Sequence, residues 1–127
     1  MISMEEFEIL ADQVANEIPS VFYNGLNGGI RLKEEERLHP LSREKAPVYI
    51  LGLYIKDEFL GCRIELYYGS FAKVCRNFVK ERMIKEIRDV LRHEFQHHVE
   101  IMCGNIDLIL EDEKELKKIE KRRRRNM

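Results

Sequence analysis

The stretch RHEFQHHVE, residues 92–100, holds three of the chain's four histidines beside two glutamates. Within it His93 and His97 stand four apart, with Glu94 directly after the first, an H-E-x-x-H spacing. Residues four apart lie one above the other on a helix, so two such imidazoles can hold one ion. Glu94 falls about 100° around the helix from His93, near that ion and able to hold a water. Two neutral imidazoles and a third protein ligand bind Zn²⁺ with a fourth position left for water, whose proton the glutamate removes. With four histidines among 127 residues, random placement produces on the order of 0.02 such matches. The cluster is therefore read as a metal site rather than a charged helix face with solvated histidines. The predicted roles are His93 and His97 as ligands, Glu94 as general base, and one Zn²⁺ per chain.

The elements around the cluster follow from periodicity. Between Ser3 and Ile18 the apolar positions Phe7, Leu10, Ala11, Val14, Ala15 and Ile18 predict an amphipathic helix, with Ser3 as N-cap and Pro19 near its end. NGLNGG (24–29) is turn material and GIRLKEEE can form a short strand. RLHPLSREKAP (37–47) reads as a loop, with His39 exposed in it. VYILGLYI (48–55) predicts a strand, Lys56-Asp57 a hairpin tip, and FLGCRIELYY (59–68) the return strand. In that return Cys62, Ile64, Leu66 and Tyr68 alternate with Arg63, Glu65 and Tyr67, as in an antiparallel strand near a sheet edge. From Ser70 to about Met102 the pattern is helical with a break near Asn77. Met83, Ile84, Ile87, Val90, Leu91 and Phe95 form its stripe and Gly104 its stop. IDLIL (106–110) reads as a short strand or packed loop, and EDEKELKKIEKRRRR as a charged helix that frays.

Spacing leaves the third ligand open. Glu100 shares the histidine face but lies about 7.5 Å along the axis from the motif's midpoint. It can more easily hydrogen-bond an outer group than complete a tetrahedron. Cys103 is good zinc chemistry, yet it lies at the helix end and off that face, where a core thiol is the expected role. A ligand arriving after a turn is better placed, which favours Asp107, Glu111 or Asp112. His98 follows a ligand but lies about 100° from it, so an orienting or packing role is expected.

The strand–helix order, with the motif near the C-terminus of a short chain, resembles the minimal zincin-type metallopeptidases, small bacterial proteins built around one H-E-x-x-H helix. FEILADQVANEIPSVF (7–22) is similar to that family's opening helix and its Ile-Pro end. LGLY (51–54) and IELYYGSF (64–71) look like its paired strands, and LRHEFQHHVE (91–100) matches its metal helix, doubled histidine included. The family's better-known form reads H-E-x-x-H-x-x-G-x-x-D, whereas Glu100 and Cys103 hold the glycine and aspartate positions here. A glycine–aspartate pair of the same spacing comes four residues later, at Gly104 and Asp107. Glu111-Asp112, ahead of EKEL, looks like the family's acidic pair, and on that resemblance Asp112 is the third ligand.

The resemblance also implies an α+β fold, a small twisted mixed sheet packed against helices with the metal helix near the C-terminal third. It further implies a peptide or protein substrate laid beside an edge strand, for which CRIELYY (62–68) is the candidate. Tyr67 in that strand is a conceivable oxyanion donor, but a sheet tyrosine is more often packing and stays outside the catalytic set.

Totals narrow the classes. At 127 residues, 44% apolar and 35% charged, the chain predicts one folded domain, residues 1–113, followed by a charged tail, 114–127. The tail holds eight Lys/Arg against two Glu, a balance of +6, and the rest of the chain balances at −7. Clustered basic residues attract nucleic acid or acidic partners, but no aromatic residues interleave them, so a solvated helix end is the expected reading. Three widely spaced cysteines make no disulfide framework, and MISMEEFEIL is acidic where a signal peptide is basic. No apolar run is long enough to span a bilayer, so reduced thiols and a cytoplasmic location are expected. A zinc-dependent peptidase is the leading expectation. A zinc-dependent RNA-processing hydrolase and a non-catalytic metal-binding or interaction protein are the rivals.

Overall fold

Ser3 opens the first element: its hydroxyl accepts the Glu6 amide at 3.1 Å, capping helix α1 (Met4–Glu17) with two acidic residues in the first turn. Ile18 leaves the helix in an extended conformation ahead of Pro19, and a short 3₁₀ turn, Ser20–Tyr23, follows. The structure, a computed structural model, describes residues 1–104. Within them lie strands β1 (Gly29–Lys33), β2 (Gly52–Asp57) and β3 (Gly61–Tyr67), then helices α2 (Tyr68–Val74) and α3 (Lys80–Met102). Among the described residues the fold is α+β: three α-helices and a three-stranded mixed sheet. Asp107, Glu111, Asp112, the 106–110 segment and the 114–127 tail lie outside the described residues. Among the described residues no helix is long and apolar enough to cross a membrane.

The strand order is β1-β3-β2. β1 runs parallel to β3 from Gly29 opposite Arg63 to Lys33 opposite Tyr67, and β2 runs antiparallel from Gly52 opposite Leu66 to Asp57 opposite Gly61. This corrects the expectation that 62–68 is an edge strand. β3 is central, because GIRLK pairs along the edge that β2 leaves free. Period two sends Cys62, Ile64 and Leu66 to one face, where they join the core. Arg63, Glu65 and Tyr67 point to the other face, where Glu65 is covered by its neighbours rather than by water.

Two boundaries also move. The first half of the run 48–55 pairs locally: His39 N–H donates to the Val48 carbonyl and Ile50 N–H to the Arg37 carbonyl, so β2 starts only at Gly52. Lys56 and Asp57 remain in the ladder, and the tip is Glu58–Leu60. There the Asp57 carboxylate accepts the Phe59 and Leu60 amides at 2.8 and 3.0 Å, and Gly61 takes up φ +81° to re-enter the sheet. Those two amides hold the Asp57 carboxyl below its ordinary value.

The core is one cluster. Phe7, Leu10, Ala11 and Val14 of α1 meet Ile64 and Leu66 of β3 and Met83, Ile87, Leu91 and Phe95 of α3. The Phe7 and Phe71 rings stand 5.0 Å apart and tilted. Helical character from residue 70 onward breaks after Val74 and resumes at Lys80, which brackets Asn77. α3 packs against both α1 and β2, so the helix bearing the histidine cluster lies over the sheet's core face and next to its edge strand.

Candidate functional site

α3 distributes the cluster by azimuth. Met83, Ile87, Leu91 and Phe95 turn its apolar stripe inward, and Glu94 and His98 are buried with them. His93 is exposed and His97 half-buried, so the two imidazoles lie along the helix's outer margin. Their Nε2 atoms approach to 3.0 Å, with the ring planes 88° apart. Two nitrogens sharing one tetrahedral zinc at about 2.0–2.1 Å stand roughly 3.3–3.4 Å apart. The observed separation is that of a hydrogen bond between the rings and only a few tenths of an ångström shorter than that value, so with both nitrogens unprotonated a small movement would let the pair share one ion.

Glu94 is 7% exposed. Helix geometry places it between Val90 and His98 on the side of α3 that faces β2. An added Cβ on Gly52 would lie 2.6 Å from the Val90 side chain, which shows how closely strand and helix approach there. Glu100 sits behind His97: one carboxylate oxygen is 3.8 Å from His97 Nδ1 and the other accepts from Gln96 Nε2 at 3.1 Å. At 3.8 Å this is proximity and not a hydrogen bond, so Glu100 lies on the Nδ1 side of the ring while Nε2 points toward His93.

Cys103 is exposed at the end of α3, which corrects the expectation of a core thiol; Cys62 and Cys75 are the buried ones. The helix runs on to Met102 and turns at Gly104 with φ +64°, leaving Cys103 about 9 Å along the axis from His97. Among the described residues no three His, Cys, Asp or Glu side chains gather as a metal-ligand group. His39 is half-buried rather than exposed, its Nδ1 accepting the Leu41 amide at 3.0 Å.

His98 is 1% exposed and both ring nitrogens are engaged. Nε2 lies 2.7 Å from the Asn24 carbonyl oxygen and Nδ1 2.7 Å from the Tyr54 hydroxyl. A carbonyl can only accept, so Nε2 carries the proton; in the neutral ring Nδ1 then accepts from Tyr54. Burial, and next the neighbouring Cys62, raise the Tyr54 hydroxyl far above its ordinary value and keep it a donor. Sequence reasoning missed Tyr54 and Asn24, 44 and 74 residues from His98. The one available signal was a tyrosine at an inward position of β2.

Tyr67, on the sheet face opposite α3, is 1% exposed and donates to Glu65 Oε1 at 2.9 Å. Burial and then the Glu65 carboxylate push its hydroxyl up to about 12. Arg37 donates to its oxygen at 3.3 Å, and Lys33 and Arg63 approach Glu65 Oε2 at 3.7 and 3.6 Å. Tyr67 thus belongs to a structural ion cluster, away from the histidine pair. On the far side of α3 from β2, an apolar groove of about 450 Å³ runs between Ile18, Pro19 and Phe22 on one wall and Phe95 and Val99 on the other. Glu17 and Arg88 close its rim through two hydrogen bonds of 2.8 and 2.9 Å.

No family model matches the chain, and no curated protein matches it. Among solved structures it is similar to a conserved hypothetical protein from Thermus thermophilus. The two are 30% identical with a TM-score of 0.68, over 80% of this chain and 98% of that one. At that identity and coverage the chain belongs to the same family as the Thermus protein, whose description names no activity.

Proposed function

We propose that the protein is a zinc-dependent metallopeptidase, with His93 and His97 as two ligands, Glu94 as general base and Asp112 as the third ligand. The observation that carries this reading is the 3.0 Å approach of the two Nε2 atoms beside a buried glutamate on one helix. When bound, zinc would polarise a scissile carbonyl and acidify a water. Glu94, buried and about 100° around the helix from His93, would accept the water's proton and return it to the leaving amine. Glu100, fixed by Gln96 at 3.1 Å, stands 3.8 Å from His97 Nδ1 and would need to close that gap to orient a metal-bound ring. Among the described residues the strand with an open edge beside α3 is β2. A peptide substrate would therefore add to β2 rather than to 62–68, its backbone pairing along that edge.

The test is metal content per chain by elemental analysis on untagged protein, beside His97→Ala. About one zinc, absent in the variant, followed by peptide hydrolysis that Glu94→Gln abolishes, is the expected result. Retained zinc with no turnover and no effect of Glu94→Gln would favour the non-catalytic metal-binding reading. Ribonuclease activity lost on deleting 117–127 would favour the RNA-processing one. Absence of metal before and after adding zinc would overturn the proposal.

A further inference from the structure

We infer that Tyr54, acting through His98, is a positioning residue for the His93–His97 pair. The inference deepens the metal-site reading and rests on it. α3 is a single rod, and the apolar side chains along its inner face resist separation from the sheet more than they resist rotation, because hydrophobic contact is non-directional. Rotation is what a metal site cannot tolerate. A ring nitrogen about 6 Å from the helix axis moves by about 1 Å for each 10° of turn. Metal–ligand distances hold to about 0.2 Å. A directional contact on the buried side is needed, and His98 provides it next to His97 in sequence.

The two bonds to His98 come from different parts of the fold. Tyr54 stands on β2, and the Asn24 carbonyl lies in the loop after the 3₁₀ turn. That loop is itself held to α3: the Tyr23 ring packs edgewise on Phe95, inside the motif, at 4.9 Å, and its hydroxyl donates to the Ala15 carbonyl at 2.6 Å. Gly25, at φ +81°, lets the loop close over His98 and Met102, where an added Cβ would come within 2.5 Å of the Met102 sulfur. The loop bond therefore follows α3 and α1. The Tyr54 bond reaches across to the sheet and sets the rotation of the helix against it.

Conservative variants separate the two bonds. Tyr54→Phe keeps the ring and removes the hydroxyl. His98→Asn keeps an acceptor near the Nδ1 position, and His98→Gln keeps a donor near the Nε2 position. Zinc competition and the visible spectrum of Co²⁺-loaded protein report the site, and thermal unfolding of metal-free protein reports the fold. The expected result is a 10- to 100-fold loss of metal affinity and an altered Co²⁺ spectrum in Tyr54→Phe and His98→Gln. His98→Asn should stay within a few-fold of the parent. Two results would overturn the inference: equal losses in the two His98 variants, or a lower unfolding midpoint with unchanged affinity and spectrum in Tyr54→Phe. If the parent chain takes up neither Zn²⁺ nor Co²⁺, the metal reading fails on its own. The His93 and His97 imidazole resonances of the metal-free protein then decide the positioning role: shifted by Tyr54→Phe they support it, and unshifted they overturn it.

Discussion

Replacing Tyr67 by phenylalanine should destabilise the protein at neutral pH and cease to do so in strong alkali. At neutral pH the hydroxyl donates to Glu65 Oε1 at 2.9 Å, on a carboxylate that is 6% exposed. Lys33 and Arg63 neutralise that carboxylate from 3.7 and 3.6 Å, beyond hydrogen-bond reach, so they cannot replace the lost donor. A hydrogen bond to a charged, buried acceptor stabilises by about 1.5–3 kcal/mol, and Tyr67→Phe should cost about 2 kcal/mol. In alkali the sign changes. The hydroxyl ionises near 10 in the unfolded chain but is pushed up to about 12 in the fold. A group whose folded value is raised contributes stability that is complete below the unfolded value and lost as pH rises through the folded one. At 1.36 kcal/mol per unit, that loss is about 3 kcal/mol between pH 10 and 12. The wild-type advantage should therefore be about 2 kcal/mol from pH 7 to 9 and reach zero or reverse by about pH 12. Urea unfolding of both proteins at intervals across that range measures the difference, in which the other tyrosines cancel. A difference that stays constant with pH would refute the buried Tyr67–Glu65 bond, and so would no difference at pH 7.

Three further outcomes follow from the same contacts. Gly25→Ala forces a Cβ into the left-handed region and toward the Met102 sulfur; urea unfolding should show a loss of about 1–2 kcal/mol, only the steric part of which Met102→Ala recovers. Gly52→Ala drives a Cβ against Val90 Cγ1 at 2.6 Å and Leu66 Cδ2 at 3.0 Å; it should cost about 1–3 kcal/mol, and adding Val90→Ala should restore most of it. The hydrogen bond from Arg88 holds the Glu17 carboxyl below its ordinary value on an exposed surface. Its small stabilisation should be complete above the unfolded carboxyl value and lost as pH falls through the lowered folded one. Thermal unfolding of Glu17→Gln should accordingly show a slight deficit at neutral pH that shrinks in acid and in high salt.

The features legible in the sequence are those set by local spacing. Ser3 caps α1 as its hydroxyl predicts, and the stripe through Met83, Ile87, Leu91 and Phe95 fixes which side of α3 is inward. With that side fixed, the 100° step per residue carries His93 and His97 outward and Glu94 and His98 inward. What local spacing cannot encode is which strands become neighbours. The alternation of 62–68 is the same for an edge strand and for a central strand whose second face is an ion cluster. Choosing between them requires Lys33 and Arg37, 32 and 30 residues upstream, to meet Glu65 and Tyr67 respectively. The Tyr54–His98 bond is invisible for the same reason, since its partners are joined by the fold alone. The hairpin tip misleads for a smaller reason: Asp57 caps the turn from its last ladder position rather than standing within it.

The azimuths on α3 also separate two kinds of damage that activity alone would confuse. His93 and His97 lie on the outer margin and carry little of the core, so under the proposed metal reading losing either should remove metal while the metal-free chain unfolds almost as before. His98 and Phe95 lie inward, where one satisfies two polar partners and the other packs against Tyr23. Losing either strains the fold first and the site second. Glu94 stands between these groups, inward and buried like the second but next in azimuth to the first. Glu94→Gln preserves its volume and removes its basicity, whereas Glu94→Ala also opens a cavity beside β2. If the two replacements abolish hydrolysis equally but only the alanine lowers the unfolding midpoint, the loss belongs to proton transfer and not to packing. Equal loss of midpoint in both would place Glu94 among the structural charges, and the base would have to be sought elsewhere.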